Sequence, residues 1–406
     1  MSVEPAATGA GEQTNTALPT RIRGMSRAEP CVDMRWWPLQ FRLYSPEPYV
    51  LRWFHHHLHT VAALTGAEQL APVSIHAVVD EGLTGEILYA VMNGQKASVE
   101  GYVGDLWTTG TVAGMPAWSH GTPPDTSDTS HVLVAVSPRE WLVAGSRAST
   151  VATATVRACR ELIRTELARR DAYTLHASFA TSPEYGGMLF VGPTGAGKTT
   201  IALAAARAGG YLVSGDQTEL VVPTSGQPFG VGFPWVARLG FGTLARIGVH
   251  RAIESTPLLR HQPAMAKGRV VPEARTYRSP TKIELTMLEL DALLAVPPVD
   301  RATVDAVVMI KAADSNRRPQ AESATVAAVV DDLREAFREP DPAFADFWLA
   351  APEQRPSDRR PFEALCASLQ RTPVVRLTWN PERDGTAEAL AAVQAALGPR
   401  PGQGTP

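Results

Sequence analysis

The chain has 406 residues, 44% of them hydrophobic, enough to bury a substantial core spread over two or three domains. A formal net charge of -3 gives no general attraction to nucleic acid, and no run approaches the roughly 18 apolar residues of a membrane-spanning helix. Cys31, Cys159 and Cys366 are isolated and odd in number, which excludes a disulfide framework and a CxxC metal knuckle and makes a reducing cytoplasm the expected location.

Residues 1–33 are rich in Ala, Thr, Glu, Gly and Pro, lack the apolar run of a signal peptide, and read as a disordered leader. Residues 34–44 (MRWWPLQFRLY) read as a strand broken by Pro38, with Trp36, Trp37, Phe41 and Tyr44 as packing residues. Residues 49–64 have helical apolar spacing and carry His55, His56, His57 and His59. His55 and His59 share a helix face and could chelate a metal, but no third ligand follows at a known spacing, so surface histidines are the simpler expectation.

Short apolar runs at 73–79, 86–92, 96–103, 132–136 and 141–144 read as strands. Asn93-Gly94 between two of them reads as a hairpin turn, and the Gly, Pro, Ser and Thr clusters of 108–130 read as a loop. Residues 34–149 are therefore expected to form a small α+β domain, of no legible chemistry.

A second domain is expected over 150–398, opened by an amphipathic helix at 150–170 and a strand at 173–180 that carries His176. Taken alone, His176 is a core histidine. The stretch 187–216 organises the rest: a buried strand at 188–191, a Gly-rich loop, a helix at 201–208 and a second strand at 211–213.

The loop is Gly192, Pro193, Thr194, Gly195, Ala196, Gly197, Lys198 and Thr199, which fits the Walker A pattern at every fixed position. Such a loop turns backbone N–H groups inward at a helix N-terminus and cradles phosphates. Lys198 would reach the outer phosphates, the Thr199 hydroxyl would hold Mg2+, and Thr200 is the natural second hydroxyl contact. Asp216 follows the next strand, which is expected to lie adjacent to the loop strand, and is either a turn residue of Gly-Asp-Gln or a carboxylate that holds Mg2+. Glu219 is expected to face solvent.

Beyond it, 223–241 reads as a Gly-, Pro- and aromatic-rich loop near the site. Arg246, His250, Arg251, Arg260, Lys267 and Arg269 make the next stretch basic, either an ordinary solvated face or a means of steering ATP or an acidic peptide. Residues 281–294 mix strand and helix patterns. A buried strand is expected at 305–310, a helix at 322–337, a strand at 374–378, a closing helix at 387–397 and a disordered tail at 399–406.

The succession of Leu175-His176, the Walker A loop, a helix and Gly-Tyr-Leu-Val-Ser-Gly-Asp ending at Asp216 resembles the catalytic domain of HPr kinase/phosphorylase and of related kinase-like proteins encoded beside bacterial peptide-modification genes. That family shares its core with phosphoenolpyruvate carboxykinase. The similarity spans 174–222, echoes weakly to 397 and excludes the first 150 residues. It implies an α/β, P-loop-containing HPr kinase-like catalytic domain preceded by the smaller α+β domain.

The resemblance places His176 at the family's histidine and Gly192, Gly197, Lys198 and Thr199 at its phosphate loop. The family then has two adjacent aspartates, the first assigned as base and the second near Mg2+; here that pair is Gly215 and Asp216. A Glu-Ile-Arg-Gly segment of the family is echoed at 236–242 (VARLGFG), which offers Arg238 but no glutamate.

Two functions follow as expectations. One is an ATP- and Mg2+-dependent kinase acting on a hydroxyl of a peptide, a protein Ser or Thr, or a small molecule, with Lys198 and Asp216 as its main residues and His176 orienting the acceptor or relaying its proton. The other is an ATP-binding module that gates or scaffolds a partner enzyme, suggested by the glycine at 215. A GTPase switch is a poorer third expectation, because no Asn-Lys-x-Asp base-reading motif occurs. Nothing in the sequence specifies an oligomeric state.

Overall fold

The computed structural model describes residues 14–24, 30–61, 71–100, 106–120, 130–224, 226–234, 236–260, 265–266, 269–270, 279, 282–313, 318–337, 349 and 362–398. Its first half runs α1 (Thr14–Arg23), β1 (Cys31–Trp36), β2 (Leu39–Tyr44), α2 (Pro48–His57), β3 (Ala71–Val79), α3 (Glu81–Asn93), β4 (Ala97–Glu100), β5 (Leu106–Val112), β6 (Met115–His120), β7 (His131–Ser137), β8 (Glu140–Gly145) and α4 (Ala148–Ala168). The strands form one eight-stranded sheet in the order β1-β2-β3-β8-β7-β6-β5-β4. Both β3 pairings are parallel and the other pairings are antiparallel.

Strand periodicity explains why both faces of this sheet are covered. Val132, Val134, Leu142 and Ala144 point to a core shared with α1 and α3. The alternate residues Leu133, Trp141 and Val143 join Phe41, Ile75 and the apolar sides of α2 and α4.

Four expectations are corrected here. Residues 86–92 belong to helix α3: Asp80 Oδ1 accepts from Leu83 N at 2.9 Å as an N-cap, and Leu83, Ile87 and Val91 recur every fourth residue and are buried. Asn93-Gly94 consequently ends a helix instead of turning a hairpin, with Gly94 N donating to Ala90 O. The 108–130 loop contains the β5–β6 hairpin, turned by Ala113 and Gly114 at φ 51° and 77°; residues 121–129 lie outside the described residues. The leader is ordered in part: α1 buries Leu18 and Ile22, and Arg21 Nη2 lies 2.6 Å from Asp80 Oδ2.

The second half continues with β9 (Tyr173–Leu175), β10 (Ala177–Ser182), β11 (Gly186–Val191), α5 (Lys198–Arg207), β12 (Leu212–Ser214), β13 (Thr218–Val221), β14 (Phe229–Val231), β15 (Ala237–Leu239), α6 (Phe241–Arg246) and α7 (His250–Ser255). Then come β16 (Met265–Ala266), β17 (Arg269–Val270), β18 (Ile283–Leu285), α8 (Met287–Leu294), β19 (Arg301–Thr303), β20 (Ala306–Ala312), β21 (Gln320–Ala324), α9 (Val330–Ala336), α10 (Phe362–Leu369), β22 (Val374–Trp379) and α11 (Thr386–Leu397). A six-stranded mixed sheet has the order β12-β10-β11-β20-β22-β21, and a four-stranded sheet the order β19-β14-β13-β9. The helix expected over 322–337 is β21, a 3-10 turn and α9, and the loop expected over 223–241 includes β14 and β15.

The loop strand β11 pairs in parallel with β20, so the loop leaves its C-terminal end. That is where α/β sheets place ligands. Helix α5 then packs back on β10 and β11 and against α11.

The halves are sewn together. Trp36 Nε1 donates to Gly232 O at 2.7 Å, Trp37 N to Asp300 Oδ2 at 2.8 Å, and Val61 N to Pro298 O at 2.9 Å. Helix α4 packs on β3, β8 and α2 and also reaches the second half, where Arg160 Nη2 donates to Gln217 Oε1 at 2.9 Å. Among the described residues no helix is long and apolar enough to cross a membrane.

Candidate nucleotide site

Between β11 and α5 the chain makes a curl that only glycine adopts readily. Gly192, Gly195 and Gly197 have φ of 156°, 82° and 92°. A Cβ on Gly192 would lie 2.3 Å from Ile310 O, and one on Gly197 would lie 2.4 Å from Trp379 Cζ2. The loop is thus clamped between β20 and the end of β22, and Trp379 Nε1 fixes it further by donating to Ala196 O at 2.8 Å.

An open cleft of about 230 Å3 lies over the loop. Thr194, Gly195, Gly197, Lys198, Thr199 and Thr200 line it, together with His176 and Asp216. Gly192, Pro193 and Ala196 do not line it; they shape the loop from behind. Lys198 is 5% exposed, and its Nζ donates to Gly192 O at 2.8 Å and Pro193 O at 3.2 Å, so the ammonium sits inside the curl that it would share with phosphates.

Helix α5 begins at Lys198 with Gly197 as its cap and no side-chain cap bond. Its first N–H groups have no partner within the helix, and Lys198, Thr199 and Thr200 line the cleft, which makes the position attractive to anions. Thr199 Oγ1 donates to Gly215 O at 2.7 Å, leaving its lone pairs for another ligand. Thr200 instead meets Thr243 of α6, Oγ1 to Oγ1 at 2.9 Å.

His176 is not within a strand. It is the residue between β9 and β10, where one extended run passes from the four-stranded sheet to the six-stranded one. Its backbone N–H is held by Ala336 O at 2.8 Å, and its Nδ1 lies 3.7 Å from Asp216 Oδ1. Asp216 is 79% exposed at the cleft edge. The strand before it, β12, is not adjacent to the loop strand, because β10 lies between them.

The expectation that Glu219 faces solvent is overturned: it is 3% exposed on β13 and accepts from Thr174 Oγ1 at 2.9 Å. His55 and His59 remain neighbours, but His59 Nε2 lies 2.9 Å from Asp291 Oδ2, and no group of three or more His, Cys, Asp or Glu suited to a metal occurs among the described residues. Of the basic stretch, Arg246 reaches the cleft, whereas Arg260 pairs with Glu284 over the Trp53 ring. Lys267 lies outside the described residues.

Of the opposite wall, the sequence pointed to the 236–242 segment and to Arg246, but not to Thr243, Lys282 or Pro381. Gly240, Gly242 and Thr243 of the β15–α6 segment, Lys282 before β18, and Pro381 after β22 all line the cleft. Ser178, whose Oγ donates to Gly215 O at 2.6 Å, supports the site from β10. Its place two residues after His176 was the only local signal.

An oxygen pair suits Mg2+, which takes one or two protein oxygens and completes its shell with phosphate and water. The Thr199 hydroxyl and the Asp216 carboxylate, both on the cleft with Lys198, are the oxygens that could hold it.

No family model and no curated relative matches this chain. Among solved structures, the HPr(Ser) kinase/phosphatase from Coxiella burnetii is similar at 12% identity with a TM-score of 0.22, covering 51% of this chain and 85% of that one. A likeness that faint carries no argument about activity, and the functional reading rests on the cleft.

Proposed function

We propose that this chain is a Mg2+- and ATP-dependent phosphotransferase that delivers the γ-phosphoryl group to a hydroxyl of a peptide, a protein Ser or Thr, or a small molecule. The observation that carries the reading is one cleft lined by the curled loop, Lys198, Thr199, Asp216 and His176. Phosphoryl transfer asks mainly for alignment and charge neutralisation, which these groups are suited to give.

In this reading the loop amides and Lys198 bind the phosphate chain, and Thr199 with Asp216 would hold the metal. Bound Mg2+ supplies charge neutralisation on the phosphate oxygens. The acceptor oxygen bonds to the γ-phosphorus, the bond to the bridging oxygen breaks, and ADP leaves. In this reading His176, beside Asp216, would take the proton of the acceptor hydroxyl, a task for which position 215 offers no side chain.

The test is turnover of isotope-labelled ATP with Mg2+ and a panel of hydroxyl acceptors, with Lys198→Ala as control. Label on an acceptor, lost in Lys198→Ala, supports transfer. Tight ATP binding with label on no acceptor favours the second reading, an ATP-binding module that gates a partner. One observation supports that alternative: Arg160 of α4 holds Gln217, the neighbour of Asp216, and so links the first half to the nucleotide site.

A further inference from the structure

The cleft has two walls of different construction. The loop and the start of α5 form one. The other is the β15–β18 ribbon with α6. In the ribbon Arg238 pairs with Glu284 and Leu239 with Ile283, which brings Lys282 beside Gly240, where its Nζ is 3.3 Å from the position a Cβ would take. Helix α6 starts at the next residue and carries Thr243, tied to Thr200, and Arg246.

This second wall contributes three cations, Arg238, Arg246 and Lys282, and the cleft as a whole sets four cations against the single carboxylate of Asp216. Their charge is cancelled only in part. Arg246 Nη1 donates to the carbonyls of Arg383 at 3.2 Å and Asp384 at 3.5 Å, which fix the side chain and leave its charge. Neither Arg246 nor Lys282 has a carboxylate partner among the described residues. Arg238 does have one, but Glu284 is divided: its Oε1 lies 3.4 Å from Arg238 Nε and its Oε2 lies 2.9 Å from Arg260 Nε.

A triphosphate on the loop is already opposed by the amides, Lys198 and a divalent cation. The second wall is therefore in surplus for the nucleotide. We propose that the acceptor is itself anionic, a hydroxyl compound carrying a carboxylate or phosphate beside the reacting oxygen, and that Arg238, Arg246 and Lys282 form the subsite for that anion. Resting on the phosphotransferase reading, this narrows the acceptor to acidic sequences around a Ser or Thr. Basic acceptors are repelled by the same wall, so the subsite also selects against wrong substrates.

The experiment measures binding, so that it does not depend on transfer. Fluorescent serine peptides of matched length, flanked by Glu, phosphoserine, Gln or Lys, are titrated with the full chain in the presence of Mg2+ and a non-hydrolysable ATP analogue, and the analogue's own affinity is measured separately. The Glu and phosphoserine peptides are expected to bind at least about tenfold more tightly than the Gln peptide, with the Lys peptide weakest. The difference between the two acidic peptides tells which anion the subsite prefers. Arg238→Gln with Lys282→Gln should shrink the preference to about threefold or less while the analogue binds within about twofold of the wild type.

Equal binding of all four peptides overturns the proposal. So does a double variant that loses the analogue as severely as the acidic peptide, since the cations would then serve the nucleotide. Failure of the wild type to bind the analogue would sink the phosphotransferase reading instead. Arg238 is 60% exposed, so the double variant should fold, and a thermal melt checks it.

Discussion

Thr199 Oγ1 donates to the carbonyl oxygen of Gly215 at 2.7 Å, and Ser178 Oγ donates to the same oxygen at 2.6 Å. The first residue of the loop helix to offer an oxygen is thereby fastened to the residue that precedes Asp216. Thr199→Val removes that tie and one proposed metal oxygen, while Ser178 still satisfies the carbonyl. A stability loss of about 1 kcal/mol is expected, with loss of the Mg2+ dependence of ATP affinity, whereas Thr199→Ser should keep both. Melting curves and ATP titrations with and without Mg2+ distinguish the two.

Gly215 is not required by sterics. A Cβ there would meet only Thr199 Cγ2, at 3.9 Å, and the backbone is not in the left-handed region. Gly215→Asp should therefore fold with a stability change within about 1 kcal/mol. If a missing carboxylate limits transfer, turnover rises by about tenfold or more. Unchanged turnover in a well-folded variant would show that position 215 does not limit the reaction.

Gly197 is the opposite case. Its φ is 92°, and an added Cβ would sit 2.4 Å from Trp379 Cζ2, so Gly197→Ala must shift either the loop or the indole. A cost above about 2 kcal/mol and loss of ATP binding are expected. Retention of wild-type affinity by this variant would contradict the loop as the phosphate site.

Arg160 connects the first half to the Asp216 turn through Gln217 at 2.9 Å, and its guanidinium lies over the Phe233 ring. Arg160→Ala should lower kcat by about tenfold with ATP affinity little changed, because it loosens the turn and leaves the loop intact. Gln217→Ala should do the same, and the two together should cost no more than one alone. Additive losses would mean that Arg160 acts elsewhere.

His57 is fully buried in α2, where its Nδ1 meets Trp53 O at 2.8 Å. Burial, reinforced by the nearby charges of Arg260 and His56 and only partly offset by that hydrogen bond, pushes its pKa down from 6.5 to about 3. Below about 6.5 the unfolded chain takes up a proton that the folded chain refuses, so the stability contributed above that pH is lost as pH falls toward 3. Burial also lowers His55 and His56, to a smaller extent. Melting temperatures taken from about pH 7.5 to about pH 4.5 should fall less steeply in His57→Asn than in the wild type. Identical slopes would assign acid destabilisation to the carboxylates.

Much of the architecture was legible. The helices around 150–170 and 201–208 and the strands at 73–79, 132–136, 188–191, 305–310 and 374–378 all occur close to their expected places. Their patterns are long or uniformly apolar, and burial on both sides left little ambiguity. The failures came where local composition was ambiguous: residues 86–92 form a short apolar run such as a buried strand has, but the Asp80 cap and the stripe of Leu83, Ile87 and Val91 decide for a helix. Residues 108–120 carry loop-like composition, yet hairpin pairing with β7 overrides it.

By itself the sequence determined the curled Gly-rich loop, because Gly192, Gly195, Gly197, Lys198 and Thr199 act on one another over eight consecutive residues through local backbone geometry. Only the tertiary structure decided what faces that loop. Arg238, Arg246, Lys282 and Pro381 come from segments up to about 140 residues apart, and no local period relates them. The same holds for the burial of Glu219 and the seating of His176 between two sheets: each depends on which strands pair, a choice made by the packing of the whole core.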